Sequence, residues 1–468
     1  MAVATPLKPH GAVTADSAAK SGTTARDVRP RDVEIERHSL AAILDLLRTG
    51  QAATRLELEK ASSLGRAVVL DRVASLTRLG LVEAGEAAPS MGGRAPRTIR
   101  FRADAGLILV AAFDRSSIGI GLADLAGRMA FEHHEAADLA DGPEAIIARL
   151  DTLIDWVLDQ HEDRRALWGI GIGIPGVVET QPDGAFALQR LHLGAAWSDA
   201  LAIERLIVRH RAPVWVRSTF QMAAMGELGP PRPDRQHSIL FADLGAELSA
   251  GLAVEGRLQP GAQGVAGQLG HIWAGEAAAR TVCRCGNTGC LETVAGSDAV
   301  VRAATEAAIS GGSRRLADTL AAKGEVTVAD VGLAAQLGDA VSAQLLARCG
   351  QLVGVTLAAL VNALNPSSVV LGGELAQTGD ILLAAVREAI YRHSHPLATR
   401  DLRIVRSNMG RSAGLAGAAL IAADALFRPE VLGEWIGLGT PVRHPAMAGL
   451  LAQATAAMGG QPASHSAG

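Results

Sequence analysis

The chain has 468 residues, 20% charged and 49% hydrophobic, with 44 Lys plus Arg against 48 Asp plus Glu and a formal net charge of −4. At roughly 100 to 200 residues per domain this length predicts two to four compact units, and the slightly acidic balance excludes a uniformly basic polyanion binder. Four cysteines, three of them between positions 283 and 290, are too few and too clustered for a disulfide-stapled secreted scaffold, and 3% aromatics offer no stacking groove for bases.

Met1 to Lys20 lacks the apolar run of a signal peptide, and no stretch reads as the roughly 18 apolar residues of a membrane span, so a cytoplasmic protein without a membrane partner is expected. Residues 1–32 read as a disordered tail, and 429–468 as a second, mostly disordered one. Charge is uneven between them. From Arg26 to Arg102 fourteen Arg and Lys face ten Asp and Glu, whereas the sequence beyond Arg102 carries −9.

Residues 33–103 read as three short helices and a hairpin. Leu40, Ile43, Leu44 and Leu47 form one apolar stripe that ends at Thr49-Gly50. Thr54 and Glu57 have capping-box spacing for a second helix stopping near Ser62. A third is expected from about Gly65 to Leu79, with Val69, Val73 and Leu76 inward. A strand follows Gly80, and a Gly-rich turn carrying Arg94 and Arg97 leads into a second strand. That order predicts a winged helix-turn-helix, with a bare dimerisation or packing module as the alternative. In the DNA-binding reading the third helix presents Arg66, Val68, Asp71 and Arg72 to a major groove of double-stranded DNA, while Arg94 and Arg97 reach phosphate or the minor groove. Val68 suits a thymine methyl; Asp71 needs a cytosine amino group or an arginine neighbour.

The remainder divides into residues 104–225 and 226–412, two α/β lobes facing a cleft, with 413–428 a helix returning to the first lobe. Leu107 to Phe113, Ile118 to Leu125 and Leu167 to Ile174 read as strands of the first lobe, with a helix at 143–160. The arrangement recurs at Ser238 to Leu244, Leu248 to Val254, the long helix ending at Leu364, and Ser368 to Gly373.

At His271, Cys283, Cys285 and Cys290 the pattern becomes specific. Three thiolates and one imidazole form a closed set suited to structural, tetrahedral Zn2+, with no open corner for an activated water. Cys349, alone in a helix, reads as core.

With Gly267-Gln268-Leu269-Gly270 before His271, and Leu291-Glu292 after Cys290, this block resembles the zinc motif of the ROK family of repressors and sugar kinases. The resemblance spans about Arg37 to Phe427, and the front segment matches the repressor branch. It implies a winged helix-turn-helix (α+β) followed by a two-lobed α/β actin-like, sugar-kinase ATPase fold with a structural zinc loop. It also implies tests of the kinase machinery. Where the family's first phosphate loop has glycines after an aspartate, this sequence has Asp114-Arg115-Ser116-Ser117. The second loop becomes Gly245-Ala246-Glu247-Leu248-Ser249, with a carboxylate where polyphosphate would sit. The family's Asn-Asp pair, whose Asp is the general base, aligns with Ser218-Thr219, and no Asp lies between Pro213 and Pro233. A threonine hydroxyl cannot serve as that base, which contributes about 10²- to 10⁴-fold.

The resemblance further implies an effector pocket of Ser218, Thr219, Gln268, His271 and Glu292, with Gln268 replacing a family glutamate. Gln268 and Glu292 holding only the zinc loop is the plainer alternative. The expected protein is a non-enzymatic transcriptional regulator, a repressor, that binds no ATP and senses a small carbohydrate-like effector as a homodimer or tetramer on an operator. The alternatives are a kinase-like body that docks a protein partner, and an active sugar kinase with a DNA module.

Overall fold

The structure, a computed structural model, describes residues 30–87, 97–114, 117–138, 141–160, 166–176, 178, 203–230, 238–276 and 278–459. The expected turn around Arg94, residues 115–116 of the first loop and the first 29 residues lie outside these.

The front of the chain forms α1 (Pro30–Arg48), α2 (Arg55–Ser62), α3 (Arg66–Arg78) and the antiparallel strands β1 (Val82–Ala87) and β2 (Arg97–Phe101). The Thr54 box is formed: its hydroxyl accepts from Glu57 N at 3.3 Å and the Glu57 carboxylate accepts from Thr54 N at 3.0 Å. Leu40, Ile43, Leu44 and Leu47 of α1 close on Val69, Val73 and Leu76 of α3, so the 3.6-residue period alone positions these helices.

Two five-stranded sheets follow with the same connectivity. The first is ordered β5-β4-β3-β6-β7, with β3 (Leu107–Phe113), β4 (Ser117–Ala123), β5 (Met129–Ala136), β6 (Leu167–Ile174) and β7 (Val214–Ser218). The second is ordered β10-β9-β8-β11-β12, with β8 (Ile239–Leu244), β9 (Leu248–Val254), β10 (Arg257–Leu258), β11 (Ser368–Gly372) and β12 (Arg403–Arg406). In each, a three-stranded antiparallel meander is extended by two parallel strands.

Between the sheets run the helices Thr219–Leu228 and Ser412–Leu426, which contact β8 and β9 on one side and β3 and β6 on the other. Their crossing needs glycine: a Cβ on Gly417 would lie 1.6 Å from Met222 O, and one on Gly226 2.1 Å from Ala413 O. The outer face of the first sheet is covered by α4 (Pro143–Gln160) and the helix Ile203–His210.

Two expectations are corrected. The segment 429–468 is not mostly disordered, because it is helical over Pro429–Trp435 and Pro445–Gly459. Val431, Leu432, Trp435 and Ile436 recur at helical spacing and bury against α1, and Met447, Leu450 and Ala454 bury in the core beneath the helix Ile203–His210. A stretch that passes for a membrane span by length and hydropathy does occur, the helix Ala340–Leu364. Its Leu346, Cys349, Val353, Leu357 and Val361 are buried in the core of the second lobe, where the helix packs on Asp380–His393.

Candidate functional site

The cysteine loop is held by backbone bonds that reverse the chain twice. Cys283 N donates to Asn287 O at 2.7 Å, Gly286 N to Cys283 O at 2.9 Å, and Gly289 N to Thr281 O at 3.1 Å. The bridge Trp273–Cys290 fastens the loop to the chain just after the short 3-10 turn carrying His271, and the bridge Val282–Thr288 closes the loop on itself. Donor atoms of His271, Cys283, Cys285 and Cys290 then lie within 4.8 Å of one another. Cys285 Sγ is 3.7 Å from Cys290 Sγ, and Cys283 Sγ is 3.6 Å from His271 Nδ1. A tetrahedral ion with bonds of about 2.3 Å to sulfur and 2.0–2.1 Å to nitrogen would set these separations near ~3.8 and ~3.6 Å. The group could therefore hold a metal ion. Burial pushes the Cys290 thiol up to about 12, while a backbone bond from Asn287 pulls Cys285 below its ordinary value. Cys349 lies apart as a buried core thiol, donating to Ala295 O at 3.2 Å.

Beside this loop the cleft wall is carboxylate-rich. The β8–β9 turn carries Gly245-Ala246-Glu247, and Glu247 does not stand free: Arg284 Nη1 donates to its Oε1 at 2.7 Å. The same guanidinium grips Glu292, Nε to Oε1 at 2.9 Å and Nη2 to Oε2 at 3.1 Å, leaving the Glu292 side chain 12% exposed. Burial lowers the Arg284 pKa, but Glu247 and Glu292 raise it on balance. Asp243, at the end of β8, is pushed up to about 7 by burial and by Asp114, Glu247 and Glu374. Asp114 accepts from Ser117 Oγ at 2.5 Å and lies 3.7 Å from the Arg411 guanidinium.

Of the expected effector residues, Ser218 ends β7 and is buried, its hydroxyl without a hydrogen-bond partner among the described residues. Thr219 opens the next helix and donates its hydroxyl to Phe113 O at 2.8 Å. Two residues on, Gln221 donates to Gly264 O at 2.9 Å and Ala266 O at 3.2 Å, tying that corner to the loop that bears Gln268. Gly267 is obligatory there: its φ is +105° and a Cβ would fall 1.7 Å from Ala250 O. Gln268 is half-buried, and His271 turns Nδ1 toward Cys283. Glu292 also receives Leu248 N at 3.4 Å. Neither Gln221 nor the Arg284 bridge was foreseeable: Gly264, Ala266 and Glu247 lie 37 to 45 residues from their partners, and no spacing marks Glu292, eight residues beyond Arg284.

On the front domain, Arg66, Ala67, Val68, Leu70 and Asp71 line the exposed side of α3, and Arg97 is exposed at the start of β2. Arg72, expected among the DNA contacts, is instead spent internally: Nε donates to Ser39 Oγ at 2.7 Å and Nη1 to Asp71 at 2.6 Å and Glu36 at 3.3 Å. At 15% exposure its side chain braces α3 against α1 and supplies the arginine neighbour that Asp71 needs. Arg94 lies outside the described residues.

Two lobes of one topology about a cleft, with a Cys/His loop on its wall, define a sugar-kinase-like body. The chain belongs to the ROK family, whose model matches residues 115–425. A glucokinase of Halalkalibacterium halodurans is 31% identical over 278 residues, 59% of this chain and 83% of its own. A xylose repressor of Caldicellulosiruptor bescii is 25% identical over 390 residues, 83% of this chain and 96% of its own. Among solved structures, a ROK family transcriptional regulator described as a homologue of the E. coli MLC protein superposes with a TM-score of 0.66 at 25% identity, over 87% of this chain and 99% of that one.

Proposed function

We propose that this chain is a DNA-binding transcriptional regulator, a repressor, whose kinase-like body senses a carbohydrate or related polyol instead of phosphorylating it. The observation that carries the reading is the reach of the regulator alignments. They run well beyond the span of the family model, whereas the glucokinase matches 59% of the chain. Ahead of the span of the family model the chain folds as a helical head with a β-hairpin, which we read as a winged helix-turn-helix. Arg66, Val68 and Arg97 would meet DNA, with Asp71 positioned by Arg72. Two copies of the chain would read a pseudo-palindrome, in the cytoplasm.

The cleft supports the absence of kinase activity. Thr219 stands at the base position and its hydroxyl is bound to Phe113 O, so it neither accepts a proton nor points one at a substrate. Asp243, crowded by Asp114, Glu247 and Glu374, stands where a triphosphate would lie and disfavours its charge. What remains is a receptor surface of Ser218, Gln268, His271 and Glu292, rich in acceptors for sugar hydroxyls. The metal is read as zinc, held by Cys283, Cys285, Cys290 and His271. Bound there it supplies no reaction chemistry; it fixes the loop that carries Arg284 and orients the His271 ring, whose Nε2 stays available for a hydroxyl.

Exposed Ile272, Trp273 and Val282 on the metal loop favour a second reading, a protein partner docking on this face. The test is selection of DNA from genomic fragments by the purified protein, then anisotropy with the selected fragment in the presence of D-glucose, D-xylose or N-acetyl-D-glucosamine. We expect nanomolar, salt-sensitive binding released by one sugar and no ADP formed from ATP. Sugar-dependent ADP production would overturn the reading, and intact DNA binding with no response to any sugar would favour the protein partner.

A further inference from the structure

Arg284 sits between two ligand cysteines, yet its side chain leaves their loop and occupies the pocket wall. Its planar fork takes both oxygens of Glu292, and Leu248 N takes Oε2 as well. A carboxylate offers about four lone-pair sites. Three on Glu292 are already used, and the edge by which a carboxylate grips two neighbouring hydroxyls is covered by the guanidinium. The third guanidinium nitrogen, Nη1, donates to Glu247. That carboxylate faces the other lobe, with a Cβ built on Gly176 coming within 4.0 Å of its Oε2.

Resting on the carbohydrate reading above, we propose that Arg284 is an internal competitor for the effector: it caps Glu292, and an uncharged vicinal diol displaces the guanidinium onto Glu247. The exchange is balanced in hydrogen bonds, since the diol donates to Glu292 what Arg284 withdraws, and the cation keeps a carboxylate throughout. The pair that breaks is Arg284–Glu292, whose carboxylate is only 12% exposed, but the Arg284 side chain is about half exposed and keeps Glu247, so neither charge is left without a partner during the exchange. It is directional, because a guanidinium moved fully onto Glu247 relieves the charge crowding of Glu247 and Asp243 at the cleft between the lobes. A phosphorylated sugar would meet Asp114, Asp243 and Glu374 in the same cleft, so the ligand class is neutral.

Calorimetric titration of the full-length, metal-loaded protein with D-glucose, D-xylose and N-acetyl-D-glucosamine tests this on wild type, Arg284→Gln and Glu247→Gln. Arg284→Gln should bind the responsive sugar about two- to fivefold tighter. Glu247→Gln, which removes the charge that receives the displaced guanidinium, should bind it weaker, so the two variants move in opposite directions. Metal content and melting temperature report whether each variant is folded; if Arg284→Gln loses its metal, Arg284→Lys replaces it, since a point charge cannot span both carboxylates, and the same tightening is expected. Equal affinities in all proteins, or weaker binding by Arg284→Gln, overturn the proposal and leave the sugar reading standing. No heat from any sugar with any protein overturns both. Glucose 6-phosphate binding more tightly than glucose overturns the neutral ligand class.

Discussion

Asp243 shows how far a single side chain can be moved by its surroundings. Partly buried at the end of β8 and facing Asp114, Glu247 and Glu374, its carboxyl is pushed up to about 7, desolvation first and the neighbouring carboxylates after it. An acid with a raised native value binds its proton more tightly folded than unfolded, so its contribution to stability is complete below the ordinary carboxylate range and is lost as pH rises toward 7. Melting curves from about pH 5 to about pH 8 should therefore fall more steeply for wild type than for Asp243→Asn, and parallel curves would refute the assignment. On the front domain two arginines should separate by role. Arg97→Ala removes an exposed cation and should reduce the salt slope of DNA binding by about one for each phosphate that the cation neutralises. Arg72→Ala should lower the melting temperature by unbracing α3 from Ser39 and Glu36, and leave that slope nearly unchanged.

The elements differ in how much their own sequence determines them. α2 is a short helix whose start depends on the Thr54 box, and Thr54→Ala should cost about 1 kcal/mol, read as a lower denaturant midpoint. The Cys/His loop, by contrast, would owe its rigidity to the ion that its four donor atoms can hold. Chelation at neutral pH, or Cys290→Ser, should expose 272–291 to rapid hydrogen exchange, and proton release on restoring the metal should accompany thiolate formation. Both elements were legible in advance, because a capping box and a Cys/His spacing are local patterns with a direct physical meaning. The repeat of strands and the stripe of α1 were legible for the same reason. The final helices were not, although Val431, Leu432, Trp435 and Ile436 carry a clear helical period. Alanine and glycine around them lowered the apparent signal, and the surface they bury against is made by α1, nearly four hundred residues earlier. The Arg284 bridge had no local pattern at all. Arg72 escapes a helical wheel, which shows direction but not the length of a guanidinium that folds back onto a neighbour.

At the scale of the whole molecule the head is not tethered by a loose linker. One continuous core runs from Leu44 of α1 through Phe101, Trp168 and Phe427 to Trp435, so head and first lobe share their interior. Trp435 is fully buried, meets the rings of Trp168 and Phe427 edge-on at 5.4 and 5.6 Å, and donates Nε1 to Leu426 O at 3.1 Å. Beside it, Arg48 of α1 lies over the Phe427 ring and reaches Asp424 at 2.9 Å, on the helix that passes between the two sheets. Asp424 is raised by desolvation and held down in part by Arg48, with Asp45 of α1 raising it further and Arg257 contributing least. If this junction transmits the effector signal, Trp435→Ala should do more than destabilise the protein by about 3 to 5 kcal/mol. Below its lowered melting temperature the variant should still bind sugar at the cleft, which lies on other elements, while its DNA affinity no longer responds to sugar. Retention of the full sugar response in Trp435→Ala, measured by anisotropy on the selected operator, would show that the shared core holds the head without informing it.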